Sequence, residues 1–195
     1  MSLDFRVLTG PEVEAALDDL AALRIRVFRD WPYLYDGDPA YERRYLASYR
    51  DNPRAILVVV FDGGRIVGAS TGTPLEDHAD DFAAAFAGTG HDLADIFYCA
   101  ESVLLPDYRG QGAGHAFFAA REDHGRRLGR RFCTFCSVLR PADHPLKPAA
   151  YRPLDAFWKK RGYQRLEGVV AQFEWKDIDQ PGATSHDLQF WIKPL

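Results

Sequence analysis

The sequence predicts a mixed α/β domain built on a central, partly antiparallel sheet flanked by helices. Three observations carry that expectation. Apolar residues recur at helical spacing in some segments and as short β-branched runs in others. The two kinds of segment interleave along the whole chain instead of separating into halves. A Gly63-Gly64 turn joins two of the strand candidates, which makes that pair antiparallel. With 195 residues, 47% of them hydrophobic, the chain is sized for a single domain, 1–195, with its own core.

The elements follow in order. Phe5-Arg6-Val7-Leu8 is a short strand. Thr9 or Gly10 caps the helix behind it, and Pro11 suits its first turn. That helix runs from about Glu12 to Phe28, with Val13, Ala16, Leu17, Leu20, Leu23 and Val27 at helical spacing. Trp31-Pro32 ends it, Tyr33 to Pro39 is an aromatic loop, and a second helix spans about Ala40 to Tyr49. Ala55 to Phe61 is a continuous apolar run, as in a strand buried on both faces. Asp62-Gly63-Gly64 turns it back into Ile66 to Gly72, whose small residues leave room for a group against the strand. Residues 74–92 read as an inserted helix and loop. A strand from Ile96 to Leu105, a glycine loop and a helix from Gly112 to Leu128 come next. A strand from Arg131 to Val138, a proline-rich loop to Pro153, and a short helix from Leu154 to Arg161 closed by Gly162 lead into two last strands, Val169 to Trp175 and Leu188 to Ile192.

Composition excludes several classes of function. The formal net charge is −4, so the chain lacks the basic surplus that a nucleic-acid partner requires. No apolar run is long enough to span a bilayer, and Met-Ser-Leu-Asp-Phe-Arg is not an export signal. Three cysteines make no disulfide framework, and a cytoplasmic location is the expectation. The six histidines are scattered without an H-x-x-x-H pair, so no metal site is expected.

The most informative segment is Arg109-Gly110-Gln111-Gly112-Ala113-Gly114, between a strand and a helix. Glycines let an anion approach the backbone, the first N–H groups of a helix have no partner within it, and the helix dipole favours negative charge there. Arg109 adds a positive charge. Gly-His-Ala follows where a Walker loop needs Gly-Lys-Ser/Thr, and the G-x-G-x-G spacing is not a dinucleotide fingerprint.

Val103-Leu104-Leu105-Pro106-Asp107-Tyr108-Arg109-Gly110-Gln111-Gly112-Ala113-Gly114 resembles the central motif of the GNAT N-acetyltransferases, R/Q-x-x-G-x-G/A after an apolar-x-Pro strand end. Phe157-Trp158-Lys159-Lys160-Arg161-Gly162-Tyr163 is similar to the family's downstream aromatic helix ending in Gly-aromatic. The resemblance covers most of the chain and implies a GNAT-like sheet and acetyl-CoA as acyl donor. It implies that amides from Gln111 through Ala113 and Gly114 to His115 hold the pyrophosphate of coenzyme A, with Arg109, Gly110, Gly112 and Trp158 around it. It also implies that the strand near Val103, Leu104 and Leu105 parts from its neighbour and pairs with the pantetheine arm.

The expected acceptor is the amine of a small molecule. The alternatives are a non-catalytic acyl-CoA-binding or sensing module and a protein or peptide acetyltransferase. Neither a nucleic-acid nor a membrane partner is expected, and a homodimer is compatible with the sequence.

Transfer to an amine requires loss of a proton from the ammonium. Glu101, a carboxylate in an otherwise apolar strand, is the leading base candidate, with a structural ion pair as the equal alternative. Tyr98 is second, acting through water. Where the family carries its acid, a Tyr, this sequence has Trp158, whose indole N–H cannot transfer a proton; Tyr151 and Tyr163 are the substitutes.

Weaker signals complete the reading. Cys133 and Cys136, three apart on a strand, face opposite sides and so are structural. The arginines 126, 127, 130 and 131 form a solvated helix end or reach the adenosine phosphate. The loops at 140–153 and 33–41 are candidates to line the acceptor pocket. Glu76, Asp77, Asp80 and Asp81 either attract a cationic amine or form a solvated acidic face.

Overall fold

The computed structural model describes residues 3–195, so the first two residues of the N-terminal stretch lie outside it. The chain order is β1 (Asp4–Leu8), α1 (Gly10–Phe28), α2 (Pro39–Asp51), β2 (Ile56–Asp62), β3 (Arg65–Pro74), α3 (Ala79–Phe86), β4 (Ile96–Leu104), α4 (Ala113–Arg127), β5 (Phe132–Val138), α5 (Asp155–Lys160), β6 (Gln164–Lys176) and β7 (Ala183–Pro194). All seven strands form one sheet in the order β1-β2-β3-β4-β5-β7-β6. Only β4 and β5 pair in parallel; every other neighbour pair is antiparallel. This is the mixed sheet with flanking helices that the sequence predicts.

Local chemistry sets the boundaries. Thr9 is the α1 cap; its N–H donates to the Glu12 carboxylate at 3.2 Å. Gly63 and Gly64 have φ of +56° and +86°, the left-handed pair that a two-residue hairpin turn needs. Asp38 caps α2, accepting from the Ala40 N–H at 2.8 Å. The 74–92 segment packs as part of the domain, since Phe82 and Phe86 of α3 meet Phe190 of β7 edge to face at 5.2 and 4.9 Å.

The last two strands are longer than the sequence predicts, because β6 is an edge strand with a broken pattern. Its register with β7 slips between Arg165 and Val170, where Gly168 has φ +79°. The Gln189 amide holds the irregular stretch by donating to the Leu166 and Val169 carbonyls at 2.8 and 3.2 Å.

Candidate active site: a parted pair of strands beside a glycine loop

β4 and β5 pair at only three positions, Ile96 with Phe132, Phe97 with Cys133 and Tyr98 with Thr134. Beyond Tyr98 the two strands run on without pairing, so the centre of the sheet opens. Just there β4 carries an extra residue against β3, since Thr71 pairs with Glu101 but Thr73 pairs with Tyr98. The Leu105 N–H donates to the Val67 carbonyl at 3.0 Å. Ladder groups alternate sides, so Val103 and Leu105 turn their backbone to β3 while Ser102 and Leu104 turn theirs to the open side.

The glycine loop sits at the end of this strand. Gly110 and Gly112 have φ of +77° and +88°, and nothing lies within 4 Å of where a Cβ would stand on either. The first bond of α4 runs from the Ala116 N–H to the Gly112 carbonyl at 3.2 Å. Earlier amides, those of Ala113, Gly114 and His115, have no backbone acceptor among the described residues. Arg109 is exposed and donates to the Leu104 carbonyl at 3.3 Å, and Gln111 donates to the Asp107 carbonyl at 3.1 Å. Beside the loop, Phe157 of α5 meets the His115 ring at 4.9 Å. A run of free amides with left-handed glycines and one arginine beside them suits a diphosphate chemically.

Glu101 is not a free carboxylate. Arg24 of α1 forms an ion pair with it, and the Tyr45 hydroxyl of α2 donates to it at 2.6 Å. Arg24 also pairs with Glu42 of α2. Burial works against the Arg24 charge, but Glu101, Tyr45 and Glu42 outweigh it and hold the guanidinium well above the ordinary range. Two carboxylates thus share one guanidinium on the face covered by α1 and α2, a formal excess of one carboxylate.

Tyr98 is buried, with its hydroxyl 3.3 Å from the Cys136 Sγ. Burial pushes its phenol well above the ordinary value, which keeps it protonated near neutral pH. Trp158 is half-buried between Phe135 (4.9 Å) and Trp191 (5.2 Å). Tyr163 is buried and donates to Glu122 at 3.1 Å. The Cys133 and Cys136 side chains join different core clusters, as their spacing predicts.

This chain matches the acetyltransferase (GNAT) family over residues 20–148. It belongs to the GNAT acetyltransferase family. No curated protein is significantly similar in sequence. Solved structures share the fold at low identity. An N-acetyltransferase from Staphylococcus aureus Mu50 has TM-score 0.64 at 12% identity, with 100% of this chain and 99% of that one covered. The ribosomal-protein-alanine N-acetyltransferase of Brucella melitensis has TM-score 0.62 at 15% identity, with 98% and 99% covered. An N-acetyltransferase of Thermoplasma acidophilum, solved in complex with coenzyme A, has TM-score 0.56 at 12% identity, with both chains covered in full.

In this acetyltransferase the 140–153 loop meets the Trp31-Pro32 turn and the first residue of the 33–41 loop, Tyr33. Trp31 packs against His144 at 5.1 Å and Tyr151 at 5.9 Å. Arg140 joins the loops from below: it donates to the Pro32 and Tyr33 carbonyls at 2.7 and 2.5 Å and pairs with Asp177 at 2.6 and 3.0 Å.

Two sequence readings each left an alternative open, and the structure favours one of the two for the arginines. Arg126 and Arg127 in the last turn of α4, with Arg130 and Arg131 just beyond it, form the helix end opposite the glycine loop, roughly 22 Å away at 1.5 Å per residue. There Arg126 pairs with Asp123, Arg130 with Glu76 and Arg131 with Asp95. Glu76 and Asp77 are also engaged by Arg54, so they are structural partners and not a lure for an amine.

Sequence reasoning missed Arg24, Glu42, Arg121 and Arg140. For the first three a signal existed, since each lies on the apolar stripe of its helix: Arg24 follows Leu17 and Leu20, Glu42 precedes Leu46 and Tyr49, and Arg121 follows Phe117. Among the described residues no group of three or more His, Cys, Asp or Glu could hold a metal ion. None of the described helices is long and apolar enough to cross a membrane.

Proposed function

We propose that this acetyltransferase moves an acetyl group from acetyl-CoA to the amine of a small molecule bound between Glu101 and the Trp31–Tyr151 loops. The parting of β4 from β5, directly beside the free amides of α4, carries this reading. The amides of Ala113, Gly114 and His115 hold the pyrophosphate, with Gly110 and Gly112 allowing close approach and Arg109 adding charge. The open side of β4 at Ser102 and Leu104 pairs with the pantetheine arm as a strand would. Coenzyme A in the Thermoplasma neighbour supports the same donor here. Acetyl-CoA supplies an activated thioester; the chain binds, orients and moves a proton.

Glu101 accepts a hydrogen bond from the acceptor ammonium and takes the proton that it must lose before attack. The excess of carboxylates over guanidinium in the Arg24, Glu42 and Glu101 cluster favours a cationic acceptor on this face. Tyr98, protonated and held by Cys136, serves as a wall and hydrogen-bond donor, not as a base. No side-chain acid is needed for the thiolate, because a thiol pKa of about 8.5 makes it a good leaving group near neutral pH. The bridge between the two loops at Arg140 supports a small acceptor over a peptide.

The test is thiol release from acetyl-CoA across a panel of primary amines. Release is expected with at least one small amine. Glu101→Gln should lower turnover about 100-fold or more while coenzyme A affinity stays within about twofold. Binding of acetyl-CoA with no release for any amine would support the sensing module instead.

A further inference from the structure

We propose that Arg121 is a positioning residue for the donor: it locks α4 to β4 at the one spacing at which the glycine loop and the open strand edge grip the same molecule. This rests on the reading of the donor site above. Arg121 lies in the middle of α4 and is 1% exposed. Among the described residues it forms no ion pair with a carboxylate. Its neighbour Glu122 turns instead to Arg161 and Lys193, at 3.1 and 3.0 Å.

A buried charge with no counter-ion persists only when its donors find oxygens. Arg121 finds four. Its Nε donates to the Phe117 carbonyl on its own helix at 3.2 Å. One terminal nitrogen, Nη1, donates to the carbonyls of Thr71 on β3 and Glu101 on β4, at 3.2 and 2.8 Å. Nη2 donates to the Ser102 hydroxyl at 2.8 Å.

The position of these acceptors carries the argument. Thr71 and Glu101 are the last matched pair before β4 slips register, and a bulge disrupts the ladder and bends the strand. Ser102 is the next residue, and its backbone faces the open side. A hydrophobic side chain would fill the same space at lower cost in desolvation, but it would not tie three elements together. The α4 N-terminus and the β4 edge form two halves of one binding surface. Two halves reinforce each other only when their spacing matches the ligand.

The experiment compares coenzyme A with adenosine 3′-phosphate 5′-diphosphate, which carries the same nucleotide and diphosphate and lacks only the arm. In the wild type, coenzyme A binds more tightly than this nucleotide. In Arg121→Met that advantage shrinks by at least about tenfold, while the nucleotide's affinity changes by less than about twofold. A purely structural role lowers the melting temperature and leaves the ratio of the two affinities unchanged, which overturns the proposal. Ser102→Ala, which removes one bond at an exposed residue, is expected to shrink the advantage by about two- to threefold and decides the matter if the Met variant does not fold. A ratio unchanged in Ser102→Ala would then overturn it. A wild type that binds adenosine 3′-phosphate 5′-diphosphate and gains nothing from the arm overturns the donor-site reading itself, and this proposal with it.

Discussion

Replacing Arg140 with methionine isolates the device that holds the acceptor-side loops. The Arg140 and Asp177 side chains are 7% and 4% exposed, so the pair is cut off from water. In Arg140→Met the Asp177 carboxylate loses its guanidinium, and the Pro32 carbonyl loses its donor. The Tyr33 carbonyl keeps a second donor, the Trp175 indole at 3.0 Å. Breaking a buried pair from one side costs about 3–5 kcal/mol. At about 2–4 °C per kcal/mol for a chain of this size, the melting temperature should fall by roughly 6–20 °C. Arg140→Met/Asp177→Asn removes the stranded charge as well, so it should recover most of that loss. Differential scanning calorimetry on the four proteins of the cycle measures both terms. A single variant within about 2 °C of the wild type, or a double variant no more stable than the single, would refute the argument.

Further predictions follow from packing and titration. Gly125 lies inside α4, where alanine would ordinarily be the better residue. Here a Cβ would stand 2.9 Å from the Phe97 Cβ and 3.1 Å from a Leu195 methyl, so Gly125→Ala should destabilise by about 1–3 kcal/mol in urea unfolding. Burial lowers the pKa of both His124 and His186 below the usual histidine value. Each is then deprotonated more readily in the folded than in the unfolded state, so its stabilisation is complete above about pH 6.5 and is lost as pH falls through the folded pKa. Urea midpoints should therefore drop from pH 7 to pH 5.5, and His186→Gln with His124→Gln should flatten that slope.

What the sequence made legible, and what it hid, divides along physical lines. Strand and helix positions were readable because periodicity is local: Val13 to Val27 repeats at helical spacing, and Gly63-Gly64 needs left-handed backbone wherever it occurs. The glycine loop was readable for the same reason, since Gly110 and Gly112 carry their conformation with them. The partners of Glu101 were not. Arg24 and Tyr45 lie far from it in sequence and meet it only when α1 and α2 fold over the sheet. A carboxylate in an apolar strand announces that it has a purpose or a partner, and here it has partners whatever further role it plays. The Arg140 clamp was hidden for a similar reason. It joins a loop carbonyl at residue 32, a loop arginine at 140 and a strand-end carboxylate at 177, with no local pattern linking them. Its existence explains why a long loop without regular structure keeps Trp31, His144 and Tyr151 in contact.

The central claim is that the left-handed glycine loop at the start of α4 holds the acyl donor. Calorimetric titration of acetyl-CoA into the wild type and into Gly112→Val tests it most directly. A valine at φ +88° is strained by roughly 1–2 kcal/mol or more, yet the space around it is open, so the rest of the fold should survive. The account predicts saturable binding to the wild type and at least a tenfold weaker affinity, on the order of 1.4 kcal/mol, in the folded variant. Equal affinity in the two proteins, or no binding to the wild type at millimolar acetyl-CoA, would contradict it.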